Sequence, residues 1–279
     1  MPIAIPAARH KLIERIATQT RRFRKRGPSI NSADFVRQYY HGVAEEDLAQ
    51  YPSEELAAAA LSHLRFAAVR KAPRPLVRIY NPEEASDGWS SRHTIVELTA
   101  GDMPFLVDSL GMVLTQAGLT IHMMVHPVLA VRRDRAGRLV ELAPADRTNG
   151  QLRRESWQHI QIDRTVDEDR LREIEHKIMR TLNDVRAAVA DWREMRQRAT
   201  EIAQQIGEQP PTVAAPNEAA EIKALLEWMA DNHFTFLGYR QYRLRRGRSE
   251  DVLEPIPDTG LGILRPRRGS KPQPTPLKG

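Results

Sequence analysis

Residues 99–129 read TAGDMPFLVDSLGMVLTQAGLTIHMMVHPVL, and the reading of the Asp102-Met103-Pro104 turn inside them decides the fold. Upstream, RHTIVELT (92–99) sets Thr94, Val96 and Leu98 against His93, Ile95 and Glu97, the period of a strand with one face better buried than the other. Downstream, Phe105, Leu106, Leu110, Val113 and Leu114 recur at helical spacing. Pro104 fits a first helical position, where its missing N–H costs nothing, with Gly101 or Asp102 before it as the cap. Gly118 supplies the left-handed residue that releases the chain into a second strand, LTIHMMVHPVLAV. Such a strand-turn-helix junction either cradles a small ligand or merely starts a helix.

Working outward, DRAGR (134–138) has the composition of a hairpin turn, and WQHIQIDR (157–164) reads as another strand. Thr165 and Glu168 have capping-box spacing, so a helix is expected to follow. The order from Arg92 is thus βαββα, and one more strand completes a ferredoxin-like βαββαβ sheet in an α+β fold with flanking helices. FTFLGYRQYRL (234–244) either supplies that strand or opens a second domain. The helix after the third strand is long: Leu171, Ile174, Ile178, Leu182, Val185, Val189, Trp192, Met195, Ala199, Ile202 and Ile206 keep three-or-four spacing. It is either split near Asn183-Asp184 and packed on its own sheet, or an unbroken intersubunit seam.

Five segments follow from these signals. Residues 1–27 form a basic arm with Leu12, Ile16 and Phe23 at helical spacing, either a helix docked on its own protein or a contact for an anionic membrane or RNA. Residues 28–75 are helical, with Asn31 or Ser32 capping a short helix and Ser53 opening a longer one that Pro73 and Pro75 stop. Residues 76–206 hold a short strand at Leu76–Tyr80, the α+β sheet and the long helix. Residues 207–244 hold a linker, a helix capped by Asn217 and the 234–244 strand; residues 245–279 form a disordered or truncated tail.

Composition excludes several chemistries. The 279 residues contain no cysteine, which rules out disulfides, thiolate metal sites and a Cys nucleophile. No apolar run approaches the roughly 18 residues of a membrane span, and the start lacks a secretory signal, so the cytoplasm is expected. The net charge of +6 is made at the ends, +7 over residues 1–26 and +6 over 240–279, which leaves −7 between them. The middle is therefore acidic and unsuited to a phosphate backbone. Gly260-Leu261-Gly262 stands alone, with Arg265 where a third glycine would be, so it is no dinucleotide fingerprint. His122 and His126 invite a metal reading, but four positions along a strand separate them by about 13 Å, too far to share an ion. No metal ligands and no catalytic residues are assigned.

Two resemblances come with particular residues. GDMPFLVDSLGMVLTQAGLTI resembles the ACT-domain junction through Asp102, Pro104, Leu106, Leu114, Gly118 and Ile121, with Phe105 in place of the glycine often found there. Together with FVRQYY, EDLAQYPSEELAAAALSHLRFA, ESWQHIQIDR, WMADNHFTFLGYRQYRL and DVLEPIPDTGLGILR, the chain over 9–265 resembles the N-terminal region of the large NAD-specific glutamate dehydrogenases. That resemblance implies a non-catalytic regulatory or assembly segment. In the full-length family, NAD serves oxidative deamination of L-glutamate to 2-oxoglutarate and ammonium; this chain alone is expected to bind no cofactor and to be inactive. It also implies effector binding at Gly101, Asp102, Met103 and Pro104. The expected partners are another copy or the remainder of the dehydrogenase, through the sheet and long helix, and an amino-acid effector; nucleic acid and membrane are not expected. The alternatives are a free-standing ACT-like amino-acid-binding or interaction module and, behind it, a nucleic-acid or membrane-surface binder acting through the basic ends.

Overall fold

The computed structural model describes residues 7–23, 28–147, 150–211, 215–247, 250–266 and 272–277, in two units, Met1–Thr181 and Leu182–Gly279. The first begins with helices α1 (Ala7–Gln19), which a 3-10 turn at Thr20–Arg22 extends, α2 (Ser32–Tyr39), α3 (Glu45–Ala49) and α4 (Ser53–Phe66). Asn31 caps α2 as its position predicts: its side-chain oxygen accepts the Ala33 and Asp34 N–H groups at 3.0 and 3.2 Å. The apolar faces of these helices, with Ile16, Phe35, Tyr39 and Leu56 all but inaccessible, share one core with Val125, Leu129 and Trp157. Burying these side chains removes apolar surface worth about 2 kcal/mol each from water.

The sheet that supplies the other side of that core is wholly antiparallel. Its strands are β1 (Leu76–Tyr80), β2 (Thr94–Gly101), β3 (Ile121–Val125), β4 (Val128–Arg133), β5 (Leu139–Pro144) and β6 (Arg153–Ile162), in the order β1-β2-β6-β4-β5 with β3 also on β6. A four-residue helix α5 (Glu84–Asp87) joins β1 to β2, α6 (Leu106–Gln116) joins β2 to β3, and α7 (Glu168–Glu208) follows β6. β3 and β4 are halves of the single expected strand. They lie end to end along β6 and part at Pro127, which has no N–H for the ladder but whose carbonyl accepts the Trp157 N–H at 3.0 Å. The DRAGR turn joins β4 to β5, closed by Asp134 Oδ1 on the Ala136 and Arg138 N–H groups.

Four details depart from expectation. β2 is buried at every position from Thr94 to Ala100, because both of its faces are covered. Ile95 meets Ala58 and Ala59 of α4, and the alternate residues Val96, Leu98 and Ala100 point away from α4. The edge beside β2 is held by β1, in register Leu76↔Thr99 to Tyr80↔Ile95, and not by 234–244. Helix α7 is capped by Asp167, whose carboxylate takes the Asp169 and Arg170 N–H groups, since Thr165 is tied to Thr94 Oγ1 through its own N–H at 2.8 Å. It also runs unbroken through Asn183-Asp184, so the split reading is set aside.

In the second unit α7 buries Leu182, Met195, Ala199 and Ala203, while Trp192 stays exposed. Helix α8 (Pro216–Trp228) starts one residue before Asn217, with Ala215 at the cap and its N–H on Glu218 Oε2 at 2.9 Å. A π turn (Met229–His233) follows it. Strands β7 (Gly238–Tyr239) and β10 (Leu261–Gly262) pair, and β9 (Asp251–Pro255) pairs with both β8 (Tyr242–Arg245) and β11 (Thr275–Leu277). The lone G-x-G is explained by packing: a Cβ on Gly262 would fall 2.1 Å from the Leu237 carbonyl oxygen, and its N–H donates to the buried Asp191 at 2.8 Å. Within the tail expected to be disordered, 245–279, lie β9, β10 and β11; its residues 248–249, 267–271 and 278–279, like 212–214 of the expected linker and 1–6 and 24–27 of the arm, lie outside the described residues.

Candidate functional site

The loop singled out by sequence leaves the end of β2. Gly101 pairs with Glu155, and Asp102 extends the ladder by one bond, its N–H donating to the Arg154 carbonyl at 3.1 Å. Its carboxylate turns to Arg154 Nε, also at 3.1 Å. Asp102 therefore does not cap α6, and Pro104 is not the first helical residue. The N-cap position belongs to Phe105, which makes no side-chain cap bond, and the helix begins at Leu106. Phe105 holds φ at 69°, the left-handed region where glycine is at ease and a bulky side chain is not. The residue is 46% exposed. What the loop offers chemically is the Asp102–Arg154 pair beside the free N–H groups of a helix start, a setting for a carboxylate or a hydrogen-bonding zwitterion. A hollow of about 520 Å³ lies elsewhere, between α2 and β5, and is lined by Asn31, Asp34, Arg37, Glu141 and Arg147.

His122 and His126 are not brought together. His122 Nε2 donates to Asp163 Oδ1 at 2.7 Å, and the ring stacks on His93 with centroids 4.3 Å apart, while His126 sits exposed at the break between β3 and β4. The Thr120 N–H, at 2.8 Å, and His122 hold the Asp163 carboxyl down at about 2.

A different constellation is assembled out of sight of the sequence. The β2–β6 register sets Glu97 directly opposite His159, and α4 lays His63 over the same face. His63 Nδ1 contacts the Tyr39 hydroxyl at 2.8 Å, and its Nε2 contacts Thr99 Oγ1 at 3.2 Å. His159 Nδ1 lies 3.4 Å from Glu97 Oε1, and Arg78 donates to Glu97 Oε2 at 2.5 and 3.1 Å. All three residues are buried, at 0%, 0% and 1% exposure. Burial drives the His63 imidazole down to about 4, so it is neutral at physiological pH. Burial works to raise the Glu97 carboxyl, but the His159 hydrogen bond and the Arg78 charge, joined by His63 only where it is protonated, outweigh it and keep Glu97 ionised. The one signal sequence offers for this cluster is Glu97, the single charged residue of β2; its partners depend on register and on a helix about 30 residues upstream.

The architecture so far defines an α+β protein whose antiparallel sheet is flanked by helices, and no helix among the described residues is long and apolar enough to cross a membrane. The chain belongs to the family described as "Glutamate dehydrogenase, ACT1 domain", whose family model matches residues 35–178, from the second half of α2 into α7. It is 37% identical over 208 residues to the NAD-specific glutamate dehydrogenase of Pseudomonas aeruginosa, covering 75% of this chain and 13% of that protein. To the enzyme of the same name from Halomonas elongata it is 35% identical over 231 residues, 83% of this chain and 14% of the other. Against the Mycobacterium tuberculosis protein the identity is 26% over 213 residues. The chain thus spans about one seventh of the curated relatives it matches.

Proposed function

We propose that this chain is the regulatory and assembly segment of a large NAD-dependent glutamate dehydrogenase, lying toward its N-terminal end and lacking the chemistry of oxidative deamination. The observation that carries the reading is the family match over the β1–β6 sheet together with its 13–14% share of relatives that bear the enzyme's name. In this reading the sheet is of the ACT, ferredoxin-like type with β1 standing where the last strand of the βαββαβ order would lie, and the long helix carries contacts to the rest of the enzyme or to another copy. The Gly101-Asp102-Met103-Pro104 loop receives an amino-acid effector, its ammonium at Asp102 and its carboxylate at Arg154 and the start of α6.

Calorimetry on the purified chain with glutamate, aspartate, arginine and the branched-chain amino acids tests the effector reading. One of them is expected to bind, and Asp102→Asn to weaken it at least ~10-fold, the order expected when a charged hydrogen bond is lost. Absence of heat and of thermal shift with every one leaves only the assembly role. NADH formation from glutamate and NAD by the purified chain alone would overturn the non-catalytic reading itself.

A further inference from the structure

We propose that His63, Glu97 and His159 form a metal-binding centre inside the first unit, with Zn²⁺ the ion that suits its donors. One ligand atom from each of these residues lies within 4.8 Å of the other two. Two imidazoles and a carboxylate are a recurrent zinc donor set. The three come from α4, β2 and β6, so a single ion ties the helical layer to the two central strands.

The protein satisfies His63 and Glu97 but leaves one nitrogen of His159 without a partner. His159 Nε2 is buried without a hydrogen-bond partner, and the His159 Nδ1 contact to Glu97 Oε1, at 3.4 Å, is long for an N–H···O bond. A buried imidazole nitrogen left in this state costs free energy that an ion recovers when that nitrogen, Nε2, is the ligand. The surrounding bonds already have the form of an outer shell. Tyr39 at 2.8 Å from Nδ1 fixes the His63 ring, and Arg78 occupies Glu97 Oε2, while Oε1 faces His159 and accepts a long bond from the Tyr80 hydroxyl at 3.5 Å. Thr99 Oγ1, 3.2 Å from His63 Nε2, is the contact that an ion at that nitrogen replaces. Arg78 also sets a limit: its charge beside the carboxylate makes the centre weaker than one with a free carboxylate, and selective for ions that imidazole holds well over Mg²⁺ or Ca²⁺. With every ligand buried, the role is structural.

The test uses the full chain, stripped with a chelator, titrated with ZnCl₂ by calorimetry and with CoCl₂ by absorption. One equivalent of Zn²⁺ is expected to bind and to raise the unfolding temperature, and Co²⁺ to give the intense visible bands of a four-coordinate site. His63→Gln and His159→Gln are each expected to weaken binding at least ~10-fold, the smallest loss usual when even an outer-shell partner is removed. His122→Gln, in the separate Asp163 cluster, leaves it unchanged. Binding below one equivalent, a weak six-coordinate Co²⁺ spectrum, or affinity indifferent to His159→Gln overturns the proposal. Where a variant loses its circular dichroism, the wild-type Co²⁺ spectrum decides alone. The outcome is independent of glutamate dehydrogenase activity and of effector binding.

Discussion

Glu155 shows how one residue organises a buried region. It lies on β6 at 1% exposure and receives Arg70 and Arg133, whose side chains are 6% and 10% exposed, at 2.6 and 2.8 Å. Trp157 Nε1 donates to its other oxygen at 3.2 Å. Burial pushes this carboxyl up, and the two guanidinium groups more than reverse that, so its folded value lies below the ordinary 4.5. The sign follows: a depressed folded value means the unfolded chain binds the proton more readily, so the contribution is complete above the unfolded value and lost as pH falls through the folded one. Glu155→Gln leaves two buried cations without their anion and is expected to cost about 3 kcal/mol at neutral pH. Urea unfolding across pH 3–7 checks both parts: the wild type should lose stability below about pH 4.5, and the variant should lose less over the same interval. Local signals at this scale were legible, as the Asn31 cap and the Gly118 helix end show, because caps are settled within four residues. Asp102 and Thr165 were misread as caps because each is claimed by a partner on a distant strand, Arg154 and Thr94.

At the scale of elements, the strand-helix-strand run from Thr94 to Arg133 was readable from periodicity alone, and so was the turn between β4 and β5. What periodicity does not carry is who pairs with whom. β1 is a five-residue strand that takes the edge beside β2, a place that any short apolar run could fill on sequence grounds. The Glu97, His63 and His159 cluster stayed hidden for the same reason, since register and helix docking create it. The β4–β5 turn is also where the segment after α4 attaches. Arg70 N–H donates to the Gly137 carbonyl at 2.9 Å, and Val69 bridges Arg138. Gly137 holds φ at +83°, and a Cβ there would sit 2.6 Å from the Arg70 carbonyl oxygen. Gly137→Ala therefore combines a left-handed penalty of about 1–2 kcal/mol with a backbone clash that has no flexible side chain to absorb it. A loss of at least ~2 kcal/mol in chemical denaturation is expected, with the damage centred on the β4–β5 hairpin in hydrogen exchange. Unchanged stability would mean that the 68–70 segment does not depend on this turn.

For the whole molecule, the charge pattern and the core give different accounts of the N-terminal arm, and the core decides. Read as a string of charges, residues 1–26 are a basic tail available to an anionic partner. In the structure, Ile13 and Ile16 of α1 are 3% and 0% exposed and belong to the same core as Tyr39 and Trp157. Two of the arm's side chains are spent on the protein itself: Arg22 pairs with Glu54 at 2.9 Å, and Glu14 holds Arg37 at 2.7 Å. Exposed pairs of this kind contribute at most about 1 kcal/mol each, so the apolar contact is what fixes α1 in place. Ile16→Ala, which leaves a cavity in a fully buried position, is expected to destabilise the chain by about 2–5 kcal/mol. Arg15→Ala and Arg21→Ala, at exposed positions of the same arm, should stay within about 0.5 kcal/mol of the wild type. Thermal and urea unfolding of the three variants separates the accounts. If the arm were a detachable basic tail, Ile16→Ala would be as silent as the arginine variants; if it is part of the core, only the isoleucine matters, and deleting residues 1–23 removes a wall of the fold along with its charges.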